Sequence, residues 1–256
     1  MNKPLILITN DDGLHARGIK KLIDIAKPMG DVYVVAPDRP QSGMSHAITV
    51  ATPLRLNKIK QEENLTIYTC SGTPVDSVKL ALDKVVPRKP DIVLSGINHG
   101  MNSSVCVIYS GTMGAALEGA IERIPSIGFS VLTHSPDSDF DSSEKYVKLI
   151  IEKGLETGLP EGVCLNVNIP TITEPEIKGV KVCRQAKTYW SDEYLEHKDP
   201  HKRSYYWLTG VLINPDKETD TDEWALENNY ISVVPVHSDL TAHEAIPVIN
   251  KWRFDA

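Results

Sequence analysis

Residues 5–13 read LILITNDDG, an apolar run that stops on an asparagine, two adjacent aspartates and a glycine. Asn, Asp and Gly are ordinary turn formers. Two ionised carboxylates side by side at a strand end nevertheless repel, and taking them out of water adds to the cost. A hard divalent cation offsets both penalties, and an all-oxygen site suits Mg²⁺ or Mn²⁺ better than zinc. Asp11 and Asp12 therefore point to metal-assisted chemistry, with neutral oxygen ligands expected from neighbouring strand ends.

Two further stretches offer such oxygens. APDRPQSGMSHAIT (36–49) carries Ser42-Gly43, a hydroxyl next to a residue that permits close backbone approach. LSGINHGMNSSVCVIYSGTMGAALEGA (94–120) holds Gly96, Asn98, Gly100 and Asn102 in a G-x-N-x-G-x-N loop, whose amides supply oxygen without adding charge. The same stretch then sets Ser110, Gly111 and Thr112 at the mouth of an alanine- and glycine-rich helix. Free N–H groups and hydroxyls at a helix N-terminus make an anion site, and phosphate is the usual guest.

The elements that must position these loops are legible as two alternating periods. Strand-like runs fall at 5–9, 31–36, 65–70, 91–95, 127–132 and 163–169, several of them apolar throughout, as buried parallel strands are. Helical patterns fall between them at 16–27, 75–82, 112–124 and 143–155. Strand-helix-strand order implies an α/β fold, a mostly parallel sheet with helices on both faces, and ligands bind such sheets outside the carboxyl ends of the strands. Past residue 186 the texture changes. KTYWSDEYLEHKDPHKRSYYWLTG (187–210) is rich in aromatics and charge and reads as an extended hairpin arm. Such an arm has little to bury Tyr189, Trp190, Tyr194, Tyr205, Tyr206 and Trp207 against within one subunit, which points to an oligomer contact. His197 and His201 fall at its solvated tip. DEWALENNYISVVPV (222–236) reads as a short helix feeding a last strand, and DLTAHEAIPVINKW (239–252) as a closing helix. The expected division is a Rossmann-like core over 1–186 and an arm with closing strand and helix over 187–256.

Charge and composition exclude other classes. A net charge of −7 argues against stable binding to duplex nucleic acid. No apolar run approaches the roughly 18 residues of a membrane span, and no cleavable signal opens the chain, so the cytoplasm is expected. Cys70, Cys106, Cys164 and Cys183 form no close pair and read as buried thiols.

Taken in order, ILITNDDG, VAPDRPQSGMSHAIT, SGINHGMN, YSGTMGAALEGA and TDEWALENNYISVVPV resemble the SurE family, the survival-protein nucleotidases. The resemblance implies a Rossmann-like core with a C-terminal β-hairpin arm exchanged between subunits of a dimer or tetramer. It also implies metal-dependent hydrolysis of nucleoside 5′-monophosphates, with 3′-monophosphates as a further class. One Mg²⁺ or Mn²⁺ per subunit is implied, on Asp11, Asp12, Ser42 and Asn98, with the phosphate cradle on Asn102 and Ser110, Gly111 and Thr112. Pro40 stands where the family usually has asparagine, and Asn229 and Val234 alter a block that commonly bears Gly and Thr.

The expected chemistry is attack by a metal-bound water that Asp11 or Asp12 orients and deprotonates, with the phosphate oxygens in the cradle. Either His46 or His99 would protonate the leaving alkoxide. A rival is the aspartyl-phosphate phosphatase, whose first strand ends in Asp-x-Asp-Gly, but here Asn10 takes the nucleophile's place and an amide cannot act there. A non-catalytic module that senses nucleotide or metal would keep the same cradle.

Overall fold

Leu5–Thr9 (β1) is buried along its length because its alternate side chains enter two different helical layers. Ile6 and Ile8 pack with Ile19 and Leu22 of Arg17–Ala26 (α1) and with Val147 and Ile151 of Asp141–Thr157 (α4). Leu7 points the other way, to Val78 of Pro74–Leu80 (α2) and Ala115 of Gly111–Ile121 (α3). A strand covered on both faces needs apolar residues at every position, which is why this run shows no polar alternation. The computed structural model describes residues 3–133, 140–172 and 176–254.

The remaining strands are Asp31–Pro37 (β2), Leu56–Glu62 (β3), Leu65–Cys70 (β4), Ile92–His99 (β5), Ser126–Val131 (β6), Val163–Ile169 (β7), Val180–Val182 (β8), Tyr189–Lys198 (β9), Ser204–Ile213 (β10) and Ile231–His237 (β11). Among the described residues, eight of them join β1 in one nine-stranded sheet in the order β3-β4-β2-β1-β5-β6-β7-β11-β8. From β4 across to β7 every pairing is parallel; β3 and β11 run antiparallel to β4 and β7. The fold is α/β and Rossmann-like, with helices on both faces. Strand order reverses beside β1, since β2 lies on one side of it and β5 on the other. Chains diverging from such a switch point leave a crevice at the strand ends.

Three expectations are revised. The closing strand returns to the core sheet instead of staying with the arm: Asp222–Glu227 (α5) leads into β11, which lies between β7 and β8, while the β9–β10 hairpin and the described residues past His237 lie outside that sheet. Backbone pairing decided this, and a short apolar strand looks the same wherever it docks. The polar strand β3 (LNKIKQE) was not expected, because an edge strand facing water carries little apolar signal. The closing helix shrinks to a turn over His243–Ala245 and the short Ile246–Ile249 (α6). Pro247 is tolerated only in the first turn, so no helix runs through it.

Among the described residues the hairpin pairs only with itself, over ten residues per strand, and Tyr194, Leu195, Tyr206, Trp207, Leu208 and Val211 are exposed. His197 stacks on Tyr205 across its strands, with centroids 5.7 Å apart. The four cysteines are buried free thiols, and burial pushes Cys164 up to about 12. Among the described residues no helix is long and apolar enough to cross a membrane.

Candidate metal and phosphate site

β1 delivers Asn10, Asp11 and Asp12 to the switch-point crevice. Asn10 is fully buried and donates its amide to the Gly13 carbonyl (3.0 Å), closing the turn, so this position has no nucleophile to offer. Asp11 is buried against the start of α3. Thr112 Oγ1 donates to its Oδ1 at 2.5 Å, and a Cβ on Gly111 would lie 2.9 Å from the Asp11 Cβ. Glycine is therefore required there for the helix mouth to close on the carboxylate. Burial, reinforced by the charge of Asp12, pushes the Asp11 carboxyl up to about 6 against the pull of the Thr112 hydroxyl. Asp12 is raised as well by burial, opposed by His99, whose Nε2 lies 3.8 Å from Oδ1. The other oxygen, Oδ2, is buried and has no hydrogen-bond partner among the described residues.

That orphaned oxygen beside a second buried carboxylate fits a dication. Among the described residues no three of His, Cys, Asp and Glu are arranged to hold a metal ion by themselves. A cation here would therefore complete its shell with neutral oxygens. Asn98 stands where β5 continues past the expected 91–95: the β5–β6 register shifts between Ser95 and Asn98, and pairing then resumes. Its Nδ2 donates to the Gly100 carbonyl (2.9 Å), so the oxygen is the atom left for a ligand. Ser42 is exposed, and its loop is tied to the site by the Gln41 N–H, which donates to the Asp11 carbonyl at 2.7 Å.

Ser110 caps α3 by accepting from the Met113 N–H (3.0 Å), which leaves its own hydroxyl hydrogen to give. Asn102 is more enclosed than expected. It donates its backbone N–H to Asn168 Oδ1 (2.9 Å) and Nδ2 to Ser130 Oγ (2.7 Å), and it accepts from Asn166 Nδ2 (2.8 Å). One amide hydrogen stays uncommitted.

The survival protein SurE family model matches residues 6–192, which contain all of these groups. The chain belongs to the SurE family. It is 55% identical over 253 residues to the 5′-nucleotidase SurE of Flavobacterium psychrophilum, with 98% of each chain covered. Over 253 residues it is 42% identical to that of Chlorobium phaeobacteroides, covering 99% of this chain and 98% of the other. The crystal structure of the SurE protein from Aquifex aeolicus superposes with a TM-score of 0.83 at 40% identity, covering 96% of this chain and 98% of that one.

Several groups of this SurE-family chain escaped the sequence reading. Glu118, buried within α3, meets His46 Nε2 at 2.8 Å and Lys79 Nζ at 2.7 Å. The signal was a single acid in the stretch GTMGAALEGA. Asp222 is buried and accepts from the Ser104 N–H (2.7 Å) and the Ala186 N–H (2.9 Å), clamping the loop that precedes α3 onto the C-terminal block. Asn166 and Asn168 lie behind Asn102, signalled by two amides in the apolar run VCLNVNI. His46 and His99 are separated: His99 sits beside Asp12, whereas the ring of His46 turns to Glu118.

Proposed function

We propose that this chain is a divalent-metal-dependent phosphomonoesterase that hydrolyses nucleoside 5′-monophosphates, and 3′-monophosphates as a second class, to nucleoside and phosphate. The observation that carries this reading is the unpartnered, buried Asp12 Oδ2, set beside Asp11 at the mouth of α3. The relatives are named 5′-nucleotidase SurE, and they support it at up to 55% identity over nearly whole chains.

Asp11, Asp12, Ser42 and Asn98 would hold one Mg²⁺ or Mn²⁺ per subunit. Such a cation supplies Lewis acidity at a phosphate oxygen and acidifies water at neutral pH. The Ser110 hydroxyl, the first N–H groups of α3 and the free amide hydrogen of Asn102 receive the remaining phosphate oxygens, where charge spreads in the transition state. Thr112 fixes Asp11 through its hydroxyl. Asp12 orients the attacking water and takes its proton, and His99 protonates the leaving alkoxide.

The arm supports a homo-oligomer, dimer or tetramer, because its exposed aromatic and aliphatic side chains have no cover within the subunit. Replacing Trp207 by Asp should lower the mass seen in sedimentation. The buried thiols favour a reducing compartment, the cytoplasm.

A screen of nucleoside monophosphates, p-nitrophenyl phosphate and dinucleotides against Mg²⁺, Mn²⁺, Zn²⁺ and chelator tests the reading. Turnover of the monoesters that chelator abolishes and Mn²⁺ or Mg²⁺ restores is expected. Metal or nucleotide binding without any turnover would make the chain a sensing module instead.

A further inference from the structure

The stretch 38–55 joins β2 to β3 without regular structure, a length that compact domains seldom leave irregular unless it has work to do. It carries Ser42, and most of its ties run through its own backbone. Besides the Gln41 bond, the Ser45 N–H donates to the Tyr109 carbonyl (3.1 Å), the Ala47 carbonyl accepts from Thr73 Oγ1 (2.7 Å), and the Thr49 N–H donates to Asp76 Oδ1 (3.0 Å). The side-chain tie to α3 is His46. The loop lies directly on the backbone of α3, for a Cβ on Gly114 would come within 2.3 Å of the Ser45 carbonyl oxygen and 3.2 Å of the His46 Cα. From there the ring runs along the helix to Glu118, seven residues and about 10 Å of axial rise beyond Gly111.

Glu118 is a fit anchor. Its side chain is 5% exposed, and each oxygen is taken, Oε2 by His46 and Oε1 by Lys79 of α2. These two partners hold its carboxyl below the usual glutamate range, His46 contributing most. One helix thus does two things: its first turn faces Asp11, and its third grips the loop that bears Ser42.

We propose that the His46–Glu118 pair is a positioning device that fixes the 41–50 segment on α3 and so holds the Ser42 hydroxyl over Asp11 and Asp12. The inference rests on the reading of Ser42 as a metal ligand, and it removes His46 from the proton donors. Groups that orient a ligand without touching the metal typically change its affinity by 10–100-fold. Loss of the pair should therefore weaken cation binding and leave the chemical step in place.

Glu118→Gln, His46→Ala and the double variant, each in the full chain, are titrated with Mn²⁺ alone by calorimetry. Amide exchange at Gln41, Ser45 and Thr49 is followed in the metal-free proteins. Each single variant should raise the Mn²⁺ dissociation constant by about tenfold, and the double variant no further, because one link is broken in all three. The three amides should exchange faster while those of β1 and β5 keep their protection, and Glu118→Gln should retain kcat at saturating Mn²⁺. Unchanged affinity and exchange would overturn the proposal, as would additive effects in the double variant. So would a collapse of kcat in His46→Ala at unaltered affinity, which would make His46 the acid. If the wild-type chain takes up no Mn²⁺, the metal reading itself fails, and the exchange of the three amides alone decides whether the pair positions the loop.

Discussion

Two carboxylates meet α3, Asp11 at its first turn and Glu118 in its body, and both are buried. Glu118 has a side-chain nitrogen on each oxygen, His46 Nε2 on one and Lys79 Nζ on the other, and is held below its ordinary range. Asp11 has a hydroxyl on one oxygen, a second carboxylate as its neighbour, and a carboxyl pushed up to about 6. The chain thus gives one buried acid a lysine and a histidine and the other a hydroxyl. The proposed cation would supply the charge that the Asp11–Asp12 pair lacks beyond the nearby His99. The buried Asp222 shows a third arrangement, satisfied by backbone N–H groups rather than by cations.

The largest effect that sharpens this contrast is Asp11→Asn. Phosphatase activity should fall by about 10³-fold, the scale of losing a group that acts on the transition state. Asparagine keeps an acceptor for Thr112 and removes the repulsion, so the metal-free variant should melt above the wild type even as it loses turnover. Thermal melts in chelator together with initial rates check both halves. A lower melting point would place Asp11 among the structural acids, with Glu118.

The pH dependence follows. A folded-state value near 6 against the ordinary 3.8 means the folded protein binds more protons than the unfolded chain between those limits. Metal-free stability is therefore lost as pH rises from about 4 through 6, by on the order of 2–3 kcal/mol from this group. The melting-point difference between Asp11→Asn and wild type should grow across that window, and saturating Mn²⁺ should remove it. Glu118 carries the opposite sign. Its depressed carboxyl contributes stability that is present above the ordinary 4.5 and fades as pH falls through its folded value. Glu118→Gln should destabilise by about 1 kcal/mol at neutral pH and less in acid, as urea titrations at several pH values would measure.

A more modest effect on turnover concerns His99, half exposed beside Asp12. His99→Asn should slow nucleoside monophosphates by about tenfold and p-nitrophenyl phosphate hardly at all, because a good leaving group needs no acid. Equal losses on both substrates would shift its role from proton donor to support of Asp12.

Legibility in the sequence followed local chemistry. The runs at 5–9, 65–70 and 163–169 coincide with β1, β4 and β7, since apolar and β-branched residues dominate strands packed on both faces. The NDDG turn, the Ser42 loop, the Asn98 loop and the Ser110 cap were readable because each depends on residue type and spacing. β3 was hidden by its polar edge, and the place of β11 in the core sheet by the length of the connection that brings it back. Glu118 looked like one more helix acid until two other elements brought it partners.

From the sequence by itself came the alternating strands and helices, the paired acids at the end of the first strand and the capped helix mouth, since backbone preference and charge repulsion act over a few residues. The tertiary structure alone decided which histidine faces the acids, which acid receives counter-charge and which strands flank the crevice. Those outcomes depend on side chains from distant parts of the chain meeting within about 3–4 Å, a distance that local pattern does not encode.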